Sequence, residues 1–185
     1  MVIVMKKIIV MLFTFVLLIG CGCTGQKASD AVKEYLAKFN NQHASVLGEL
    51  NDLIAEENLT EEQGKTYEEI MKKQYKDLKY EIVEETYDGD VATVKTNISV
   101  YDLYKVQKEA EEYRNNHQEE FLDEEKKPDA IKFLDYKLEQ MKKTDTKVTY
   151  TIDFKVEKKE GKWVLSSITT ENLEKIHGIY NYQND

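Results

Sequence analysis

The chain has 185 residues with 35 acidic and 26 basic side chains, a formal charge of −9, and only Arg114 among the bases is an arginine. A surface of that sign repels phosphate backbones and anionic lipid headgroups, and a single guanidinium offers almost no forked phosphate contacts, so nucleic-acid binding is excluded. One proline, eight glycines and twelve tyrosines argue against long disorder or a linker between two domains, and no internal repeat is visible.

The first segment reads as a targeting signal. Lys6 and Lys7 precede an apolar run from Ile8 to Ile19 that is relieved only by Thr14. About a dozen apolar residues fall short of the ~20 that a spanning helix needs. The run closes in Leu18-Ile19-Gly20-Cys21, and these four residues resemble the bacterial lipobox. Aliphatic residues occupy its first two positions, a small residue precedes the cut, and a cysteine follows. The resemblance implies a signal peptide over 1–20 and a diacylglyceryl group on the Cys21 thiol, with 21–28 as a lipidated tether. It also implies residence on the outer face of the cytoplasmic membrane, as in the lipoproteins of Gram-positive bacteria. Cys23 does not fit the pattern, because Gly20 would then stand where an aliphatic residue is required.

Two acyl chains anchor stably where one does not, at about 0.8 kcal/mol per buried CH₂. Gly22 to Ala28 reach at most ~25 Å at 3.3–3.6 Å per residue. With Cys21 lipidated, Cys23 has no partner for an internal disulfide, so the following domain must fold on its core alone. Without the signal segment the charge becomes −11, from 24 basic and 35 acidic residues.

Residues 29–185, about 160 in number, suffice for one domain of ordinary size. Ser29 is placed to cap a helix carrying Val32, Tyr35, Leu36 and Phe39 inward. A second apolar stripe, Val46, Leu47, Leu50, Leu53 and Ile54, follows a kink near His43. Thr60-Glu61-Glu62-Gln63 is a capping box that opens a helix with Tyr67, Ile70, Met71, Tyr75 and Leu78 on its buried face. At Lys79 the period changes. Tyr80, Ile82 and Val83 start a strand, Asp88-Gly89 turns the chain, and Val91 to Asp102 return with Ala92, Val94, Thr96, Ile98 and Val100 on one face. Thr93, Lys95, Asn97 and Ser99 make the other face wet.

Helical spacing resumes at Leu103, Val106, Ala110, Tyr113, His117 and Phe121. Pro128 and Asp129 start a further helix with Ile131, Leu134, Leu138 and Met141 inward. Val148, Tyr150, Ile152, Phe154 and Val156 then alternate strictly with polar residues. Glu160-Gly161 turns the chain, Trp163 to Ile168 return, and a short helix from Glu171 closes near Gly178.

The expected class is therefore α+β, with N-terminal helices packed on a curved antiparallel sheet and a helical insertion, 103–143, between two hairpins. Ala31 to Phe39, the hairpin from Asp88 to Val94, and Tyr150 to Val164 resemble the nuclear-transport-factor-2-like, or ketosteroid-isomerase-like, cone fold. Lipoproteins of Gram-positive bacteria carry such a domain behind a lipobox. The 40 or so residues from Leu103 to Lys143 depart from that family, which has a turn or short segment there.

Candidate chemistry is sparse. His43 stands in a polar stretch, His117 on an apolar stripe, and His177 before Gly178, where an imidazolium would favour the negative end of the helix dipole. The histidines are far apart, and no His pair at i, i+4, Cys-x-x-Cys, phosphate loop or nucleophile elbow occurs, so no metal ligand, cofactor site or catalytic residue is assigned. Asp88-Gly89-Asp90 lacks the rest of a calcium loop. Cone-fold enzymes place a carboxylate and a tyrosine in an apolar cavity, and no such motif carries over residue by residue. Tyr150, Ile152, Phe154 and Trp163 read as core, with a ligand cavity as the alternative. The functional expectation is a non-enzymatic binding or accessory module that meets a protein partner through 103–143. Its alternatives are a small apolar ligand held in the cone with the insertion as lid and, further off, a lyase, isomerase or hydrolase.

Overall fold

Strict alternation on the two long strands determines where everything else packs. A computed structural model describes residues 26–184; the signal segment, Cys21 and Cys23 lie outside the described residues. Strands β1 (Lys79–Asp88), β2 (Val91–Tyr101), β3 (Lys147–Lys159) and β4 (Lys162–Leu165) form one antiparallel sheet in the order β1-β2-β3-β4. Register aligns Ala92 with Val156, Val94 with Phe154, Thr96 with Ile152, Ile98 with Tyr150 and Val100 with Val148. All but the partly buried Val148 are buried. A one-residue slip would turn this whole set toward water, which is why the register is so well defined. The opposite face is polar, with Thr151 donating to Asn97 at 2.8 Å and Lys155 to Thr93 at 2.7 Å.

The described residues form the expected α+β architecture, with three N-terminal helices, α1 (Ala28–Asn40), α2 (Ala44–Glu56) and α3 (Glu61–Asp77), preceding the sheet. Helix α1 lies on β2, β3 and β4, and α3 packs against α1 and α2. An aromatic relay crosses the layers: Phe154 on the sheet, Tyr35 and Phe39 on α1, then Tyr75 on α3, with ring centroids 6.3, 5.4 and 5.2 Å apart. Helices α4 (Leu103–Asn116) and α5 (Ala130–Lys143) stand between β2 and β3, and α6 (Thr170–His177) follows the sheet. The insertion between the two hairpins is thus present. Helix α5 is tied to α3 by Gln63 donating to Asp135 at 2.7 Å and by the Lys142–Glu69 ion pair at 2.7 Å.

Several local expectations need correction. Helix α1 begins before Ser29, which is buried. Its first N–H groups are received by the sheet: Ala28 donates to the Tyr87 hydroxyl at 3.3 Å and Ser29 to Glu85 at 3.1 Å. The kink near His43 is a full break, in which the His43 ring accepts the Ser45 N–H at 3.3 Å and caps α2. Val83 lies on β1 as expected, but that strand is not regular. A bulge between Ile82 and Glu84 turns Val83 outward, 52% exposed. Ile131 is 57% exposed on the first turn of α5, and Phe133 is buried in its place. The stripe reaching Phe121 is not one helix: α4 ends at Asn116, and a 3-10 turn, Gln118–Phe121, brings Phe121 back. The return strand ends at Leu165, short of Ile168. The Thr60–Gln63 capping box forms as expected, with bonds of 3.2 and 3.0 Å.

Candidate functional site

The sheet's inward residues are packing. Ile152 and Phe154 are each 1% exposed and lie among Val94, Ile98 and Leu36, all fully buried. Tyr150 and Trp163 are buried too, but they do not share a space. Trp163 pairs in register with Lys158, eight residues beyond Tyr150, so about 26 Å of strand separates them at roughly 3.3 Å per residue. Trp163 packs on Tyr87, centroids 5.5 Å apart, beside the start of α1. At the other end Tyr150 meets Tyr180 at 5.8 Å and Tyr182 at 6.5 Å.

That second cluster contains a group the sequence did not single out. Asp102 is buried at the cap of α4, accepting the Lys105 N–H at 2.9 Å and the Tyr182 hydroxyl at 3.1 Å. The Tyr150 hydroxyl has no hydrogen-bond partner among the described residues. Burial first, and then the Asp102 charge, push its pKa far up, so it stays protonated. Gln74, also missed, is fully buried. Its amide donates to the Tyr101 and His177 carbonyls at 3.1 and 2.9 Å and accepts the Tyr101 N–H at 2.8 Å. A glutamine inside a helical stripe gives no signal of this, since the partners come from β2 and α6.

His177 is corrected. Its ring meets the Tyr75 hydroxyl at 3.2 Å, and burial lowers its pKa from 6.5 to about 4. It is neutral at pH 7 and does not serve as an imidazolium. His117 lies half-buried just beyond α4, its ring stacked on Tyr113 at 4.0 Å and its Nδ1 3.0 Å from the Tyr113 carbonyl. His43 is exposed. Among the described residues no three His, Cys, Asp or Glu side chains form a group able to hold a metal ion.

A groove lies on the insertion. Helices α4 and α5 splay around a groove of about 410 Å³, with Val106 and Ala110 from α4 and Tyr113 and Tyr136 at its aromatic end. Glu109, Gln140, Lys143 and Thr144 supply its polar lining. Tyr113 and Tyr136 stack 5.0 Å apart, and the Tyr113 hydroxyl donates to both Glu120 carboxylate oxygens at 3.1 Å. Beneath them Ala110, Phe121 and Phe133 form a small core separate from that of the sheet. Arg114 is held 4.2 Å over the Phe133 ring. A shallower groove of about 280 Å³ lies between α2 and α3, at Ile54, Leu59 and Gly64.

The groove also has a definite place in the fold. Tyr87 and Glu85 hold the start of α1 at the end of the sheet where both hairpins turn. Tyr87 donates to Glu85 at 2.5 Å. Burial alone would raise the Glu85 pKa, but the Tyr87 and Ser29 hydrogen bonds prevail and hold it below the usual carboxylate range. Helices α4 and α5 are rooted at the opposite end, after Tyr101 and before Lys147, the 11 residues of β2 away. That is about 33 Å.

The described residues therefore define an α+β domain: a four-stranded meander covered on one face by helices, with a grooved two-helix insertion at one end. Comparison of the chain with family models, with curated proteins and with solved structures finds no match.

Proposed function

We propose that this chain is a lipid-anchored, extracytoplasmic binding or accessory module whose contact surface is the α4–α5 groove. The observation that carries the reading is the contrast between a filled sheet core and a half-apolar groove on the insertion, rooted at the end of the sheet opposite the start of α1. An anchor on Cys21 would tether the hairpin end, leaving the roots of the insertion about 33 Å along the sheet from that end. No catalytic role is assigned: Asp102, the one buried carboxylate near a tyrosine hydroxyl among the described residues, caps a helix and receives Tyr182.

Metabolic labelling with palmitate, with Cys21→Ser as control, tests the anchor. Label is expected on the wild type and lost from the variant; label that persists in the variant overturns it. For the contact surface, in-cell crosslinking is compared between the wild type and a Tyr113→Ala, Tyr136→Ala variant. A partner retained at full yield by the variant moves the surface elsewhere.

The ligand-carrier reading keeps one observation in its favour, the buried Tyr150 hydroxyl amid Tyr180 and Tyr182. Native mass spectrometry of the lipidated protein separates the two: a stoichiometric small molecule released on Tyr150→Ala supports the carrier.

A further inference from the structure

We infer that the α4–α5 groove binds an uncharged glycan; this rests on the binding-module reading and names the ligand's chemistry. Val106 and Ala110 are buried and form the floor, so they offer little apolar surface to a visitor. The reachable lining is Glu109, Tyr113, Tyr136, Gln140, Lys143 and Thr144. Two aromatic rings among polar side chains suit a ligand that is itself part C–H face and part hydroxyl.

Charge in the groove selects neither sign. One carboxylate, Glu109, stands against one ammonium, Lys143, and each has a counter-ion outside the lining, Lys105 at 3.7 Å and Glu139 at 2.7 Å. A ligand with net charge meets one group that attracts it and one that repels it. Hydrogen-bonding capacity is what remains. Among the described residues the Glu109 carboxylate, the Tyr136 hydroxyl and the Gln140 amide make no hydrogen bond. Thr144 Oγ1 accepts the Thr146 N–H at 3.3 Å and keeps its own proton to donate. Sugar hydroxyls both donate and accept, and two neighbours on one ring can meet both atoms of a carboxamide such as Gln140.

The aromatic end is set before a ligand arrives. Tyr113 stacks on Tyr136 at 5.0 Å and on His117 at 4.0 Å, and its hydroxyl is held by Glu120 at 3.1 Å. Pyranose rings present a C–H face to such a wall and hydroxyls to its rim, a contact that the amphipathic tyrosine ring supplies. The volume of about 410 Å³ lies low in the ~300–1,000 Å³ range of small-molecule sites, room for a short oligosaccharide segment. A purely apolar ligand would leave Glu109 and Gln140 desolvated without partners.

The test presents the full-length lipidated protein, in phosphatidylcholine nanodiscs, to an array of neutral oligosaccharides with sialylated and amino-sugar ones beside them. Neutral members are expected to bind, and calorimetry with the best of them should give an affinity that does not change as salt is raised. Gln140→Ala is expected to weaken it about tenfold, the effect of one lost hydrogen bond, and Tyr136→Phe by less. Unchanged thermal unfolding shows that both variants are folded. Sedimentation with isolated cell-wall glycan identifies a polymeric ligand, and binding of free oligosaccharide alone a soluble one; both uphold the site. No neutral oligosaccharide bound, a preference for charged ones, salt-sensitive binding, or indifference to both substitutions overturns the glycan alone. The binding-module reading falls separately, when the Tyr113→Ala, Tyr136→Ala variant keeps its crosslinked partner at full yield.

Discussion

Two hydrophobic cores of different kinds exist in this molecule. The larger, under the sheet, draws on all six α-helices and β2 to β4, and its central side chains Val94, Ile98, Phe154 and Val156 are at most 1% exposed. The smaller holds Ala110, Phe121 and Phe133 within the insertion, with the half-buried Tyr113 and Tyr136 packed on them. The first is long-range and interlocked: a residue there touches several elements, so its loss is felt everywhere. The second is small and lies toward the far ends of α4 and α5, whose Leu103, Val106, Leu138 and Met141 belong to the main core. A cluster of so few side chains can open locally while the main core holds.

The comparison breaks most visibly at the main core. Phe154→Ala removes a ring that Tyr35 contacts edge-on and is expected to cost about 3–5 kcal/mol in urea unfolding, seen equally by every probe. A loss confined to one probe would show that the main core is not a single cooperative unit. Next in size is Gly178→Ala. Gly178 has φ +73°, and a Cβ there would lie 2.1 Å from the Tyr101 carbonyl oxygen and 2.2 Å from the Gln74 amide nitrogen. Strain and displacement should cost roughly 2–3 kcal/mol and loosen α6.

A pH titration sharpens the same corner. The folded pKa of His177, about 4, lies below its ordinary 6.5, so the unfolded chain takes the proton first. The stability it contributes is complete above pH 6.5, is lost as the pH falls through 4, and changes no further below that. The span is about 3 kcal/mol, from the 2.5 units between 6.5 and 4 at 1.36 kcal/mol per unit. His177→Gln should flatten this part of the curve; an unchanged curve assigns the acid response to other groups. The smallest global effect is expected from Phe133→Ala, about 1–2 kcal/mol, with hydrogen exchange accelerated across α4 and α5 and unaltered in β2 and β3. Acceleration in the strands would mean that the two cores are coupled.

Legibility followed the same division. The strict alternation of Val148 to Val156 and of Ala92 to Val100 exposed the sheet, because period two has one buried solution when one face is wet. Thr60 and Gln63 announced α3 because a capping box is a local bond pair. The insertion was legible as helical, yet its packing was misjudged. Ile131 and Phe133 are both apolar, and only the position of Phe121, returned by the 3-10 turn, decides which of them is covered. Of the candidate cavity, four core residues were named correctly as apolar and inward, while their separation along β3 was invisible until the strands were paired.

From sequence alone came the α+β class, the polar and apolar faces of β2 and β3, the hairpin turns, and the lipobox resemblance at Cys21. Each depends on neighbours in the chain. Tertiary structure alone decided that Glu85 and Tyr87 receive the first amides of α1, that Gln74 joins β2 to α6, that His177 is neutral, and that a groove opens between α4 and α5. Those features depend on groups distant in sequence meeting in space, and burial, not residue type, sets their protonation and their partners.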